Sequence, residues 1–458
     1  MKLSVEPAPE AGVMPAAAEI PRIRVITARP GIAPGYLFMS PQSLMEPHRP
    51  HGPQIVDDQG RVVWFHPVPE GQYATNVRVQ RYRDEPVLTW WQGTATPTGV
   101  GDGIGYVLDQ SYRVVATVRA AGGRPFDLHE FLLTDRGTAL LVSYVPRPYD
   151  LRTVGGAEDG VALDGVVQEI DVATGELLME WSGLDHVPLT ESDIPEAISK
   201  PYDQLHVNSV AVDEDGDLLV TARMSSALYK VDRRTGDIVW KLGSSASTLV
   251  LGVGVRCFWP HDGQPCGDGV YRLFDNAANE MMEGYESRVV WIRVDPGSGT
   301  ATFVRQITHP EHLSSVAEGN AQDLPNGNTL VGWGRAARIS EFAPDGTLLF
   351  DACSPTGNGW TTYRVYRQEW DGFPAAPPEV HVDGRRVRAI WNGATGVSRW
   401  RVHVGGEHER RAVALVAWDG LETVAEIPEI APGRFVSVEA LDAHGRTVGT
   451  SPVVRVGP

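Results

Sequence analysis

Cysteine is close to absent from this chain, with 3 in 458 residues. So odd and sparse a set of thiols excludes a disulfide framework of the kind that staples small secreted domains. Long apolar runs are missing too, and none approaches the roughly 18 residues of a membrane-crossing helix. Positive charge is in deficit, since 40 Lys and Arg face 58 Asp and Glu and leave a net charge of −18. That balance argues against nucleic acid and anionic membrane as partners. It leaves an anionic small molecule open, because the field inside a site is set by the residues around it. Helical periodicity is scarce, and DIPEAIS before Lys200 is the best helix candidate. The N-terminal segment has no basic stretch followed by an apolar one. The chain as written is therefore expected in the cytoplasm, or outside the cell if a leader has been trimmed.

What the chain does have is short strands and turns. Its 49 Gly and 34 Pro recur singly between β-rich runs, a spacing that reads as many turns rather than disorder. The clearest unit is LHVNSVAVDEDGDLLVTARMSSALYKVDRRTGDIVW, with strands expected at His206–Val212, Asp217–Ala222, Ala227–Val231 and Ile238–Lys241. Glu214-Asp215-Gly216 and Arg234-Thr235-Gly236 supply turn residues that tolerate a left-handed backbone. The outline recurs from NVRVQRYRDEPVLTWW, LHEFLLTDRGTALLVSY, HDGQPCGDGVYRLFDN and GNAQDLPNGNTLVGWG onward. Four-stranded units repeating every ~40–60 residues mark a β-propeller. GYLFMSP, PQIVDDQGRVVWFHPV and the late TTYRVYRQEW supply a sixth unit, whose closure joins the two ends and removes sheet edges.

The expectation is an all-β chain: a loose lead-in over 1–22, then a six-bladed β-propeller over 23–373. FPAAPPEV then marks a proline-rich boundary, and residues 374–458 read as a fibronectin type III-like β-sandwich with Trp391 and Trp400 in its core.

Five polar residues open the successive inner-strand candidates: Asn76, His129, His206, His261 and Asn320. In a propeller these positions meet at one mouth of the central channel. A lone histidine at a strand start is usually a satisfied polar residue. Three at equivalent positions of consecutive units argue for one site. Asn208 lies two residues after His206, so strand alternation places it on the same face. Arg223 ends the next strand of that unit and can supply a fixed cation with a planar fork of donors. Trp259 adjoins His261 and can stack on an aromatic substrate. Trp90, Trp91 and Trp333 lie near the same mouth and read equally well as core. Two chemistries fit the histidines: a metal centre, or transfer of a tetrahedral anionic group with one imidazole as nucleophile. Arg223 favours the second, because a fixed cation repels a metal ion; on that reading neither metal nor cofactor is expected. Cys257 and Cys266 flank His261 and either bridge that loop or remain thiols.

The ordered series LHVNSVAVDEDGDLLVTAR, TGDIVWKLG, PHDGQ, LFDNA, SR at 287–288, GNAQDLPNGNTLVGWG and ISEF resembles the arylsulfotransferase family. The bacterial type that uses no nucleotide donor is meant. DLHEF and WNGATGVSRW are similar to its actinobacterial and fungal branch. The resemblance runs from about Gly35 through nearly the whole chain. It implies a six-bladed propeller that passes a sulfuryl group from an aryl sulfate donor to a phenolic acceptor through a sulfohistidine. By position, His261 matches the sulfated nucleophile, and His206, Arg223 and His129 match the residues that bind and polarise the group. Asn208, Asn76, Asn320, Trp259 and Asp262 are the expected substrate-binding residues. Two departures stand out: Pro260 precedes His261 where the family often has Gln, and most relatives are exported. The rival expectations are a repurposed propeller, a cyclase or lyase using the histidines as acid and base, and a non-catalytic binding module.

Overall fold

Several central strands of this chain are buried on both faces, and the packing explains why. Along Val207–Val212, Leu218–Ala222 and Ala227–Val231, alternate residues enter two different cores. Val210, Val220 and Tyr229 pack with Leu140, Val142 and Val167 of the preceding sheet. Their neighbours Ala211, Leu219 and Leu228 pack with Tyr271, Leu273 and Val290 of the following one. A period of two therefore sorts side chains between neighbouring sheets rather than between core and water. Each buried Val or Leu contributes about 1.5–3 kcal/mol.

The computed structural model describes residues 14–96, 98–193, 201–243, 245–277, 286–353, 359–428 and 430–457. The helix candidate DIPEAIS lies outside them from Ile194 onward, as do the first thirteen residues of the lead-in. Among the described residues the α-helix is confined to Gly183–His186, joined by a few 3-10 turns, and no helix is long and apolar enough to cross a membrane. The fold is all-β and propeller-like.

Among the described residues, six mainly antiparallel sheets of four or five strands follow one another along the chain up to Gln368, beside a two-stranded pairing of Gln42–Ser43 with Trp360–Thr361. Their inner strands are Tyr73–Tyr82, Phe131–Leu133, Val207–Val212, His261–Pro265, Asn320–Asp323 and Tyr366–Gln368. The last of these pairs with Tyr36–Met39, so one sheet is built from both ends of the region, as the sequence suggested. Arg24–Ala28 adds a fifth strand to the sheet of Asn320–Asp323 by pairing with Leu348–Cys353.

Side chains link each inner strand to the next sheet in a closed cycle. Asn76 Nδ2 donates to Leu128 O at 2.9 Å, and Glu130 accepts from Val210 N at 3.3 Å. Asn208 Nδ2 donates to Pro260 O at 2.8 Å, and Asp262 accepts from Ala321 N at 3.1 Å. Asn320 brackets both backbone groups of Val365 at 2.9 Å. Gln368 brackets Val79 at 2.6 and 2.7 Å and returns the cycle to its start. Sheets that face one another cannot share a ladder, so polar side chains satisfy the backbone groups around the axis.

Past the proline boundary, two further sheets enclose a core around Trp400, Val402, Val436 and Val438, with Trp391 packed against it. This unit covers the free edge of the strand Val62–Phe65. Gly393 N donates to Val63 O at 2.9 Å and Leu421 N to Val62 O at 2.7 Å, while Asn392 brackets Phe65 at 2.9 and 2.8 Å. An edge that would otherwise offer unpaired backbone is thereby closed. The cysteines are free: Cys257 is buried in the core, and Cys266 Sγ lies 3.4 Å from Asp323.

Candidate active site

Where the inner strands begin, a cavity of about 460 Å³ opens. Its polar wall carries His129, His206, His261 and Arg223, and its apolar wall carries Leu44, Tyr73, Met224 and Val316. The four residues expected to do chemistry meet here.

His129 and His206 are held alike. Asp127 Oδ1 accepts from the His129 backbone N–H at 3.0 Å and lies 2.5 Å from its Nδ1. Asp203 accepts from the His206 backbone N–H at 3.0 Å and lies 2.5 Å from its Nδ1. The second grip also offsets the strain of His206, whose φ is +50°, in a region L-residues enter only at a cost. The two rings cross nearly perpendicular at 84°, with centroids 4.8 Å apart. With both Nδ1 atoms engaged, the Nε2 atoms are left for the cavity. Burial pushes His129 below the ordinary imidazole range, against the pull of Asp127.

His261 differs. Its Nδ1 lies 2.7 Å from the Asn276 amide oxygen, and its Nε2 accepts from the Glu318 backbone N–H at 3.3 Å. Glu318 and Gly319 reach that position through consecutive left-handed residues, with φ of +65° and +104°. A Cβ on Gly319 would sit 2.6 Å from the Phe274 ring, so only glycine fits there. Burial first, and Arg223 second, hold His261 well below the ordinary imidazole range. It is a neutral base at neutral pH.

Arg223 is part-buried, with its guanidinium 4.1 Å from the centre of the Trp259 ring. It contacts Met224 Sδ and Val316 O at 3.4 Å and takes part in no ion pair among the described residues. Its Nε is buried without a partner. Burial lowers it to about 10, which still leaves it charged at neutral pH. An unpaired cation beside three imidazoles is a receptor for a compact anion. Among the described residues no group of His, Cys, Asp and Glu is disposed to hold a metal ion.

The expected binding residues part company here. Asn76, Asn208, Asn320 and Asp262 do not line the cavity, because they are four of the links that close the cycle of sheets. Asn208 fails the alternation argument for a local reason: the register slips between Val207 and Ser209, and this bulge turns the side chain away from His206. Trp259 meets Arg223 rather than standing open for a substrate ring. Trp90, Trp91 and Trp333 are buried core.

Behind these links the channel is plugged by paired charges. Glu130 binds Arg78 at 2.8 Å and Arg364 at 2.9 Å. Arg364 also donates to Asn208 O at 3.0 Å, and Arg78 to the Tyr366 hydroxyl at 3.2 Å.

With the geometry in view, the comparisons decide the lineage. Residues 78–354 match the arylsulfotransferase (ASST) family. The chain belongs to the arylsulfotransferase family. A search of curated proteins finds no match. Among solved structures, it is similar to a protein of unknown function from Bacteroides caccae, at 12% identity and a TM-score of 0.45, over 73% of this chain and 98% of that one. A catalytically inactive virginiamycin B lyase from Staphylococcus aureus, with quinupristin, aligns at 9% identity and a TM-score of 0.37, over 81% of this chain and 97% of the other. Likenesses that distant say nothing about chemistry.

Several residues of this arylsulfotransferase cavity escaped the sequence reading. Asp127 and Asp203 stand two and three residues before their histidines, in DLH and DQLH, a local signal that could have been read. Asn276, in LFDNA, reads from sequence as a turn. Glu318 carries no sequence signal, since it reaches the cavity only through its left-handed backbone. Its carboxyl, raised above the usual range by burial, binds Thr361 and lies 3.4 Å from Arg335 Nε.

Proposed function

We propose that this chain is an aryl-sulfate-dependent sulfotransferase that needs no nucleotide donor and works by double displacement at His261. The observation that carries the reading is the convergence of three imidazoles and one unpaired guanidinium on a single cavity. On this reading the six sheets are the blades of a propeller spanning residues 23–373, and 374–458 form a fibronectin type III-like sandwich that caps its edge.

In the first half-reaction His261 Nε2 attacks the donor sulfur. The S–O bond to the aryl oxygen breaks, and the departing phenolate takes a proton from His129 Nε2. The incoming sulfate ester is itself an anion and favours the imidazolium form of His129 that this step requires. Arg223 and His206 hold the sulfuryl oxygens and oppose the charge that develops on them. In the second half-reaction the acceptor phenol gives its proton back to His129, its oxygen attacks sulfur, and the N–S bond breaks. The apolar wall of Leu44, Met224 and Val316 receives the aromatic body.

Incubation with 4-nitrophenyl sulfate should release the phenol and add a sulfuryl mass to His261, with His261→Ala losing both. No adduct and no phenol release with any acceptor would end the reading. A second reading has one observation in its favour: two carboxylate-backed imidazoles 4.8 Å apart are an acid–base pair in their own right. It predicts turnover of a biosynthetic substrate with no sulfate donor present.

A further inference from the structure

The side chain of Asn276 is wholly buried, and each of its polar atoms is committed. Nδ2 donates to Ser315 O and to Glu318 O, both at 2.9 Å. Carbonyl oxygens only accept, so these two contacts use both amide hydrogens and fix which way the amide points. The oxygen is left facing His261 Nδ1 at 2.7 Å. An amide oxygen cannot donate, so the imidazole must carry its proton on Nδ1. The other nitrogen gives the same answer independently. Its neighbour at 3.3 Å is the Glu318 N–H, a donor, so Nε2 must present a lone pair. Asn276 and Glu318 are coupled in turn, because the residue whose N–H approaches Nε2 is the one whose carbonyl Asn276 holds.

We infer that Asn276 is the positioning residue that singles out His261 among the three histidines, fixing its Nδ1–H tautomer and denying its ring a counter-charge. This rests on His261 being the nucleophile and explains why it is that one. His129 and His206 have carboxylates at Nδ1, which accept a proton from a neutral or a charged ring alike and suit groups that shuttle protons. An amide suits a ring that must stay neutral until it attacks. It also suits the intermediate. A sulfuryl group bonded to Nε2 of a ring still protonated on Nδ1 departs from neutral imidazole, whereas loss of that proton would make imidazolate the leaving group. The Trp259 carbonyl oxygen, also an acceptor only, lies 3.2 Å from the same Nδ1, and the titratable groups facing His261 are Arg223, His129, His206 and Glu318. The first three oppose a positive ring, so an added carboxylate at position 276 would be its strongest counter-charge.

The test has two arms. In the free full-length protein, labelled with 15N-histidine, the resonances lost in His261→Gln should show one protonated and one bare nitrogen near pH 7, with Nδ1 protonated. The opposite tautomer, or a doubly protonated ring, overturns the inference whether or not the protein turns over. In the second arm Asn276→Asp, which leaves the two carbonyls without donors, should move the acid limb of 4-nitrophenyl sulfate cleavage up by about one to two pH units. Activity should recover as pH rises. An unmoved profile in a folded variant overturns the inference, and the 15N arm decides should the variant not fold. Failure of the two ideas is separable. The expected tautomer with no sulfated His261 sinks the nucleophile reading alone, whereas a sulfated His261 with the other tautomer sinks only the role of Asn276.

Discussion

The cavity and the plug beneath it are built from similar residues and solve opposite problems. Both are rich in buried titratable groups. In the plug, Glu130, Arg364 and Arg78 use their charges on one another, so little is left for a ligand. In the cavity, Arg223 enters no ion pair among the described residues, and His129 and His206 are bonded on one side of the ring only. Burial that is fully paired makes structure, whereas burial left partly unpaired makes a site. The contrast also separates residues that sequence spacing lumps together, since Asn208 and His206 are two positions apart and serve one region each.

Cutting the plug should produce the largest effect on stability. Glu130→Ala strands two buried guanidinium groups and should cost about 3–5 kcal/mol in chemical denaturation, the usual penalty for removing one partner of a buried pair. The molecules that remain folded should keep kcat/KM for 4-nitrophenyl sulfate within about tenfold, because Glu130 does not line the cavity. A loss of turnover far beyond the loss of folded protein would erase the distinction between the two regions. The reverse pattern is expected of Arg223→Lys. Lysine keeps the charge but loses the planar fork, so kcat/KM should fall about 10- to 100-fold while stability changes little. An unaltered rate would show that the cavity asks only for charge.

The sheet order was legible because period-two patterning and glycine turns are local properties. The strands expected at Ala227–Val231 and Ile238–Lys241 lie at Ala227–Val231 and Ile238–Gly243. Even the sheet shared between the two ends of the region was readable from its leftover strands. The meeting of His129, His206, His261 and Arg223 was legible because a repeat converts equal position into proximity. What each polar residue does with its neighbours was not. Asn76 and Asn320 look like site residues for the same reason His206 does, since all read as openers of inner strands, and Asn208 does so by alternation from His206. They differ in which backbone group lies within reach and, at Asn208, in a bulge, neither of which a linear pattern encodes. Asn276 and Glu318 were invisible for a related reason. Asn276 bonds His261 directly and also holds the loop at Ser315–Glu318, from which the left-handed Glu318 presents its N–H to the ring, and none of this leaves a trace in hydrophobic periodicity.

The smallest effect sharpens the contrast through protons. Burial depresses His129 and His261 below the ordinary value of 6.5. Above that pH both are neutral folded or unfolded, and neither makes stability depend on pH. Below it, the unfolded chain takes up protons that the buried rings refuse, so the folded state loses ground until the depressed folded values are reached. Each such group steepens the decline by up to about 1.4 kcal/mol per pH unit. Denaturation midpoints between pH 7 and 5 should therefore fall less steeply in His261→Gln than in the parent protein. In the plug, Arg364→Met should lower stability at both pH values, and more at pH 7 than at pH 5, because the buried Asp262 loses a cation that favours its ionised form. A slope unchanged in His261→Gln would mean that the imidazole accepts its proton in the folded state as readily as in the unfolded one. Burial and the cation at Arg223 would then not be keeping it neutral, and the cavity would hold its charges as the plug does.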